Sequence, residues 1–378
     1  MADRASNGAI SGRLPAVDAL RGLIIVLMAL DHANHFVAQK HSPGEYWGGP
    51  FPTYADALPF LTRFVTHLAA PGFFFLMGAG MVLYKAKQTR NGRGRAQIVA
   101  HFWIRGGLLI ALQFLLINRA WQMSPGGWGP AIYVGVLFAL GGAMIVGSLL
   151  LWLKPFPLLL LAVGLFIATE TVHPDPASWG RVHFSVAQLL LLHPGGDLRL
   201  WSNYPILPWL EVAILGLAFG HGLARRPRRT YREGLLAGAV MLVLFVLIRA
   251  LNGLGNIRPV AGRTWIDFFN VVKYPPSWAF MLLTTGANLV ILWLLDRVAR
   301  RHSSILRPLA VFGRAPLFFY ILHLFLYAAL GSVFTPEGTS IARMLLFWLL
   351  GLAILFPLCA GYSRLRRYPV AGAVLGYF

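Results

Sequence analysis

Apolar runs of about 20 residues, the length a helix needs to cross a hydrocarbon core about 30 Å thick, recur down the whole chain. Ten are marked out, at roughly 17–38, 58–84, 99–119, 130–153, 155–172, 206–224, 234–251, 274–297, 309–333 and 341–363. Every second connection between them is basic. Lys85, Lys87, Arg90, Arg93 and Arg95 form one such loop, and Arg225, Arg226, Arg228, Arg229 and Arg232 the next. Arg297, Arg300, Arg301 and Arg307 form a third, and Arg364, Arg366 and Arg367 follow the last run. The alternate connections hold few Lys or Arg and most of the loop aromatics. An even count of spans and the bias of basic residues to the cytoplasmic side together predict both termini in the cytoplasm.

Composition agrees. AVILMFWYC make up 57% of the 378 residues and charged residues 12%, against about 25% charged in an ordinary soluble domain. Most side chains cannot face water, which excludes a disordered chain, a soluble enzyme and a secreted disulfide scaffold. The net charge of +20 would suggest nucleic-acid binding in a soluble protein. Here the basic residues sit in short loops where topology alone puts them, so no nucleic-acid partner is expected. The single cysteine, Cys359, cannot form an internal disulfide. The expected fold is an all-α polytopic membrane bundle of about ten helices. A cytoplasmic segment 1–16 precedes a membrane domain 17–363 and a cytoplasmic tail 364–378 follows it. No signal peptidase site precedes the first run, so it should remain as a membrane helix. Neither a repeat nor two similar halves is visible, which weakens a transporter reading.

Ionisable groups inside such helices are costly and point to function. The densest cluster is Asp31, His32, Asn34 and His35, near the outer end of the first run. Asp31 and His35 lie four apart and share a helix face, so they are within reach of pairing. A carboxylate beside His32 suits a general base. His67 precedes Pro71, which withholds an N–H and opens the second helix there. Topology brings further polar groups to the same outer half: Arg63, Asn118, Arg119, Glu211, Arg249, Asn252, Lys273 and Tyr274, with His323 near mid-depth. Helix packing for His67 and a structural role for His323 stay open beside these readings. A zinc site of His32, His35, His67 and Asp31 lacks any supporting spacing, and no metal is expected. On the inner side Arg21 and Arg105 lie within the spans, either snorkelling to headgroups or meeting a phosphate. Gly78, Ala79 and Gly80 read as small-residue helix packing.

Four segments carry a resemblance. They are Arg13-Leu14-Pro15-Ala16-Val17-Asp18-Ala19-Leu20-Arg21-Gly22 running into Met28-Ala29-Leu30-Asp31-His32, then Pro71-Gly72-Phe73-Phe74-Phe75-Leu76-Met77-Gly78, then Tyr204-Pro205-Ile206-Leu207-Pro208-Trp209, and Phe312-Gly313-Arg314-Ala315-Pro316 continuing to His323. In this order they are similar to the heparan-α-glucosaminide N-acetyltransferase-like family of transmembrane acyltransferases. The resemblance implies a multi-pass enzyme of the bacterial inner membrane. It takes acetyl from cytoplasmic acetyl-CoA and delivers it to an amine or hydroxyl of an amino sugar or glycan on the far face. His32 stands where the family carries a polar catalytic residue, and His41 is the nearest match to the animal enzyme's catalytic histidine. The animal family's large lumenal domain has no counterpart here.

On this reading His32, oriented by Asp31, is the base, with His35 beside it and His67, Lys273 or Asn118 stabilising the oxyanion. Asn118, Arg119, Glu211, Arg249, Asn252, Lys273, Tyr274 and His323 face the acceptor. Arg21, Arg105 and Arg314 hold the phosphates of acetyl-CoA. The lipid bilayer is the other expected partner, with a homodimer allowed. The alternative is a proton-coupled transporter relaying protons through Asp31 and His32.

Overall fold

The computed structural model describes residues 14–41, 44–124, 127–366 and 368. The expected terminal segments 1–16 and 364–378 therefore lie largely outside the described residues. The long helices are α1 Pro15–Ala33, α2 Ala57–Arg90, α3 Arg95–Gln122, α4 Val136–Leu150 and α5 Pro155–Thr171. They continue with α6 Ile206–Arg225, α7 Pro227–Leu251, α8 Trp278–Arg301, α9 Pro316–Phe334 and α10 Ile341–Leu365. Among the described residues seven of these, α2, α3 and α6 to α10, are long and apolar enough to cross a membrane. α4 and α5 are apolar but shorter. α1 carries Asp18, Arg21 and Asp31 within its length.

Burial separates inner helices from outer ones. In the most apolar window of α2, 72% of residues are buried, against 22% in α7 and in α10. Val240, Val243 and Leu247 on α7 and Leu346 and Leu349 on α10 stand exposed. Such an apolar outer wall is stable only against lipid. Small residues bring the inner helices together, as the Gly78-Ala79-Gly80 stretch predicts. A β-carbon at Gly78 would overlap the Ala213 carbonyl on α6, and one at Gly216 would overlap that of Phe75 on α2. Gly106 and Gly141 join α3 to α4 in the same way, and Gly238 and Gly286 join α7 to α8.

Three sequence expectations change. The ninth apolar run is not one helix. A short helix, Arg307–Gly313, ends at Arg314, and α9 begins at Pro316. Proline has no N–H to continue a helix and restricts the residue before it, here Ala315 at φ −128°. The break leaves Arg314 at the corner. The fourth run loses its first residues to β1, Ile132–Val134, so among the described residues the helical bundle also holds a small sheet. In that sheet β3, Leu200–Ser202, pairs parallel with β1 and antiparallel with β2, Gly195–Gly196. The sheet ties the connection before α4 to the one before α6. Finally, the eighth run begins at Trp278; residues 272–277 form a turn with a cis Tyr274–Pro275 bond.

Local departures from α geometry fall beside the polar residues. α1 continues as a π-helical turn, Asn34–Ala38, and stops at Gln39 with φ 56°. α2 tightens to a 3₁₀ turn over Val65–Leu68, just before Pro71, and Asn288 Nδ2 donates to the Leu68 carbonyl at 3.0 Å. α3 carries a π turn at Gln113–Ile117. Such turns re-aim side chains and are frequent at functional sites.

The contact of α1 with the short helix Arg307–Gly313 sets one end of the bundle. A β-carbon at Gly22 would overlap the Leu309 carbonyl, and one at Gly313 that of Asp18. Gly22→Val is expected to lower the melting temperature of the detergent-solubilised protein by several degrees, through overpacking of about 1–3 kcal/mol. Gly164→Ala on α5, where a β-carbon meets nothing within 4 Å, is expected to leave it unchanged or slightly raised. Thermal unfolding of the two variants side by side checks the contact.

Candidate active site

A buried charge network forms where α1, α2 and two loops meet. Arg63, on α2, has 2% of its surface exposed. Its Nη1 donates to Asp31 Oδ1 at 2.6 Å and its Nε to Glu45 Oε1 at 2.9 Å. Nη2 also pairs with Glu45 Oε2. Asp31 further accepts from Thr66 Oγ1 at 2.8 Å and lies 3.3 Å from His41 Nε2. His67 Nε2 bonds Glu45 Oε1 at 2.8 Å. An arginine this deep holds its charge only because two carboxylates face it from different segments.

Glu45 is the member that sequence reasoning missed. It lies in a loop, and its one visible signal is that the chain has so few acids, 13 in all. The loop is strapped down by its backbone: Lys273 and Tyr274 both donate N–H to the Glu45 carbonyl at 3.0 Å, and Trp47 N donates to the Tyr274 carbonyl at 2.8 Å. Tyr46 anchors it further, its hydroxyl donating to Asn203 at 2.5 Å and accepting from Trp201 Nε1 at 3.0 Å. Burial disfavours an ionised Glu45. The Arg63 guanidinium, His67 and Lys273 outweigh that and hold its carboxyl well below the usual carboxylate range. Lys273, 4% exposed, is pushed down to about 8, first by burial and then by Arg63, against the pull of Asp31 and Glu45.

A second group is built from histidines. His32 Nδ1 lies 2.7 Å from His323 Nε2, and His323 Nδ1 is 2.9 Å from the Phe319 carbonyl. His35 Nε2 bonds Ser124 Oγ at 3.0 Å. Both findings correct the expectation from spacing. Asp31 pairs with neither His35 nor His32; Arg63, Thr66 and His41 all meet its Oδ1. The imidazole that Asp31 meets is that of His41, the histidine that the family resemblance singled out.

A third feature is a cavity of about 340 Å³ lined by Arg21, Arg105, Arg314 and Arg366, with Met77, Leu140 and Tyr320 along its walls. The first three arginines are those picked as phosphate ligands, and the fold brings them together from α1, α3 and the corner before α9. Asp18 orders two of them, at 3.3 Å from Arg21 Nη1 and 3.6 Å from Arg314 Nε. Arg105 Nε is buried without a hydrogen-bond partner among the described residues. The ring of Tyr320, one of the lining residues, meets His323 with centroids 5.5 Å apart.

Five expected acceptor ligands are spent elsewhere. Arg249 donates to the carbonyls of Asp267, Phe268 and Asn270 and to Asn256 Oδ1, and so closes the loop after α7. Asn252, at φ 52°, caps α7 and accepts from Val260 N. Glu211 is buried against Thr169 between α5 and α6. Asn118 bonds Gln113 beside the π turn, and with Arg119 it lines a separate cavity of about 740 Å³ next to Leu190 and Leu200. Lys273, Tyr274 and His323 do join the central groups. Among the described residues no three His, Cys, Asp or Glu side chains stand close enough to hold a metal.

A helical bundle with an apolar outer wall, a buried charge network and an arginine-lined cavity defines a membrane protein built for chemistry on a polar ligand. The family model described as heparan-alpha-glucosaminide N-acetyltransferase, catalytic, matches residues 13–249. That is more than half of the chain, which therefore belongs to this family and is an acetyltransferase-type membrane enzyme. No curated protein matches the chain. The match ends at Arg249, so Lys273, Arg314 and His323 are joined to the site by the fold rather than by the matched segment.

Glu45→Gln removes one charge opposite a fully buried arginine and is expected to cost about 3 kcal/mol of stability, measured by denaturant titration in micelles. The sign with pH follows from the lowered carboxyl. Ionised Glu45 stabilises the fold above its ordinary value of 4.5, and that stabilisation drains away as pH falls below it. Glu45→Gln should flatten this acid slope.

Proposed function

We propose that the chain is an acetyl-CoA-dependent acetyltransferase of the bacterial inner membrane. It moves an acetyl group from the cytoplasmic face to an amine or hydroxyl of an amino sugar or glycan on the other face. On this reading all ten long helices are spans, both termini are cytoplasmic and residues 17–363 form one transferase domain. The observation that carries it is the arginine-lined cavity. Four arginines line it, one with a buried Nε that has no partner among the described residues, and Tyr320 in its lining meets His323, which bonds His32.

Acetyl-CoA supplies an activated thioester carbonyl. Arg21, Arg105, Arg314 and Arg366 bind its phosphates at the inner mouth, since a guanidinium fork matches phosphate geometry. The narrow cavity takes the pantetheine arm and leaves the adenosine outside. His32 Nε2 accepts the proton of the acceptor amine or hydroxyl as that atom bonds to the acetyl carbon. The carbon–sulfur bond breaks, and the proton passes from His32 to the departing thiolate, so atoms and charge balance. Lys273, a buried ammonium beside the network, is the cation available to the oxyanion. Asp31 holds His41 on the acceptor side of the same site.

Arg105→Ala should weaken CoA binding about tenfold or more, the value of a charge-assisted hydrogen bond to phosphate, with calorimetry on protein in nanodiscs as the measurement. Transfer from radiolabelled acetyl-CoA to a panel of amino sugars tests the reaction itself. Uptake of a solute by proteoliposomes without thioester cleavage would replace it with the transporter reading. Lys273 loses its proton as pH rises through about 8, so kcat should fall on that alkaline limb. Lys273→Met should lower kcat and abolish the limb.

A further inference from the structure

For uncharged rings, the distances of the His32–His323 pair decide which nitrogens bear hydrogen. His323 is fully buried on α9, at 0% exposure, and its Nδ1 faces the Phe319 carbonyl one turn back at 2.9 Å. A carbonyl oxygen only accepts, so Nδ1 bears the hydrogen. Neutral His323 then has a lone pair at Nε2. His32 Nδ1 lies 2.7 Å from that lone pair. Two lone pairs do not approach to that distance, so His32 Nδ1 bears a hydrogen and donates it. Neutral His32 is thereby left with its lone pair on Nε2, the nitrogen on the far side of the ring. The opposite arrangement needs a doubly protonated His323, a cation buried with no carboxylate bonded to it, which is far costlier.

We propose that His323 is a positioning residue that fixes His32 as the tautomer with a basic Nε2, in the role first expected of Asp31. The proposal rests on the acetyl-transfer reading and adds to it which nitrogen acts and what holds it. When His32 takes the acceptor's proton at Nε2, its Nδ1–H stays bonded to His323, so the imidazolium forms without moving a ring. Asp31, His35 and His41 are the other titratable groups within electrostatic reach of His32. Asp31 stands engaged by Arg63, Thr66 and His41 and bonds neither ring nitrogen of His32. The pairing also links cofactor side and acceptor side. Phe319, Tyr320 and His323 share one turn of α9, and Tyr320 lines the arginine cavity.

The test uses the whole protein in nanodiscs with ¹⁵N-histidine labelling, His32→Gln serving to assign its signals. The expected result is His32 protonated at Nδ1 and bare at Nε2 in the absence of substrate. His323→Phe, which keeps a ring but offers no acceptor, should release that tautomer and lower kcat about a hundredfold, the scale of a misaligned general base, while KM for acetyl-CoA stays put. His323→Gln can donate to the Phe319 carbonyl and accept from His32, and should restore kcat to within about threefold of wild type, a remnant smaller than the general-base term. His32 found protonated at Nε2, or full kcat in a folded His323→Phe protein, overturns the proposal. If wild type transfers no acetyl from acetyl-CoA, the functional reading falls, and the tautomer seen by NMR still decides whether His323 positions His32.

Discussion

Arg63 carries a positive charge into a place where only 2% of its surface is exposed. In a membrane bundle such a charge has no water to fall back on, and its burial is tolerable only with opposite charge held in contact. Asp31 comes from the end of α1 and Glu45 from the loop that follows it. The loop in turn is pinned by backbone bonds to Lys273 and Tyr274 before α8. One guanidinium therefore draws three distant parts of the chain to a point. The packing of α1 against α2, the seating of the loop and the placement of His41 and His67 all follow from satisfying it.

The site divides into two chemically different halves. Arg63, Asp31, Glu45 and Lys273 form a charge-balanced cluster, two cations facing two carboxylates. His32 and His323 form a hydrogen-bonded pair beside Tyr320, which lines the four-arginine cavity. This separation is useful for moving an acyl group. An imidazole must be neutral to accept a proton, and burial in an apolar wall favours its neutral form. The arginines stay at the mouth, where their charge remains partly solvated and suits phosphate. The break at Arg314-Ala315-Pro316 serves the same end, because a continuous ninth helix would carry Arg314 within a span instead of at its corner.

Much of the architecture was legible in the sequence because the bilayer demands it. Apolar length must match hydrocarbon thickness, and basic loops must alternate, so helix positions emerged within a few residues. The exceptions have local causes. Pro316 stops a helix that hydropathy alone runs through, and the residues around Ile132 meet a partner strand some 70 positions away that hydropathy cannot see. Asp31, His32, His67, Arg21 and Arg105 were visible because charge inside an apolar run is rare. Glu45 was not, since a loop acid looks ordinary until the loop folds back onto Arg63. Arg249 and Asn252 stood out for the same reason as Asp31, yet the structure spends them on loop carbonyls and a helix cap.

What the sequence determined by itself is the solvent and the inventory: a chain this apolar must live among lipids, and its few ionisable groups must matter. Partnership was decided only in three dimensions. Spacing along a helix says which side chains share a face, and by that rule Asp31 belonged with His35. Neighbouring helices present competing partners at shorter range, and Coulomb attraction and hydrogen bonding follow distance in space rather than along the chain. So Asp31 went to Arg63 and His41, and His32 went to His323 on a helix nearly three hundred residues away.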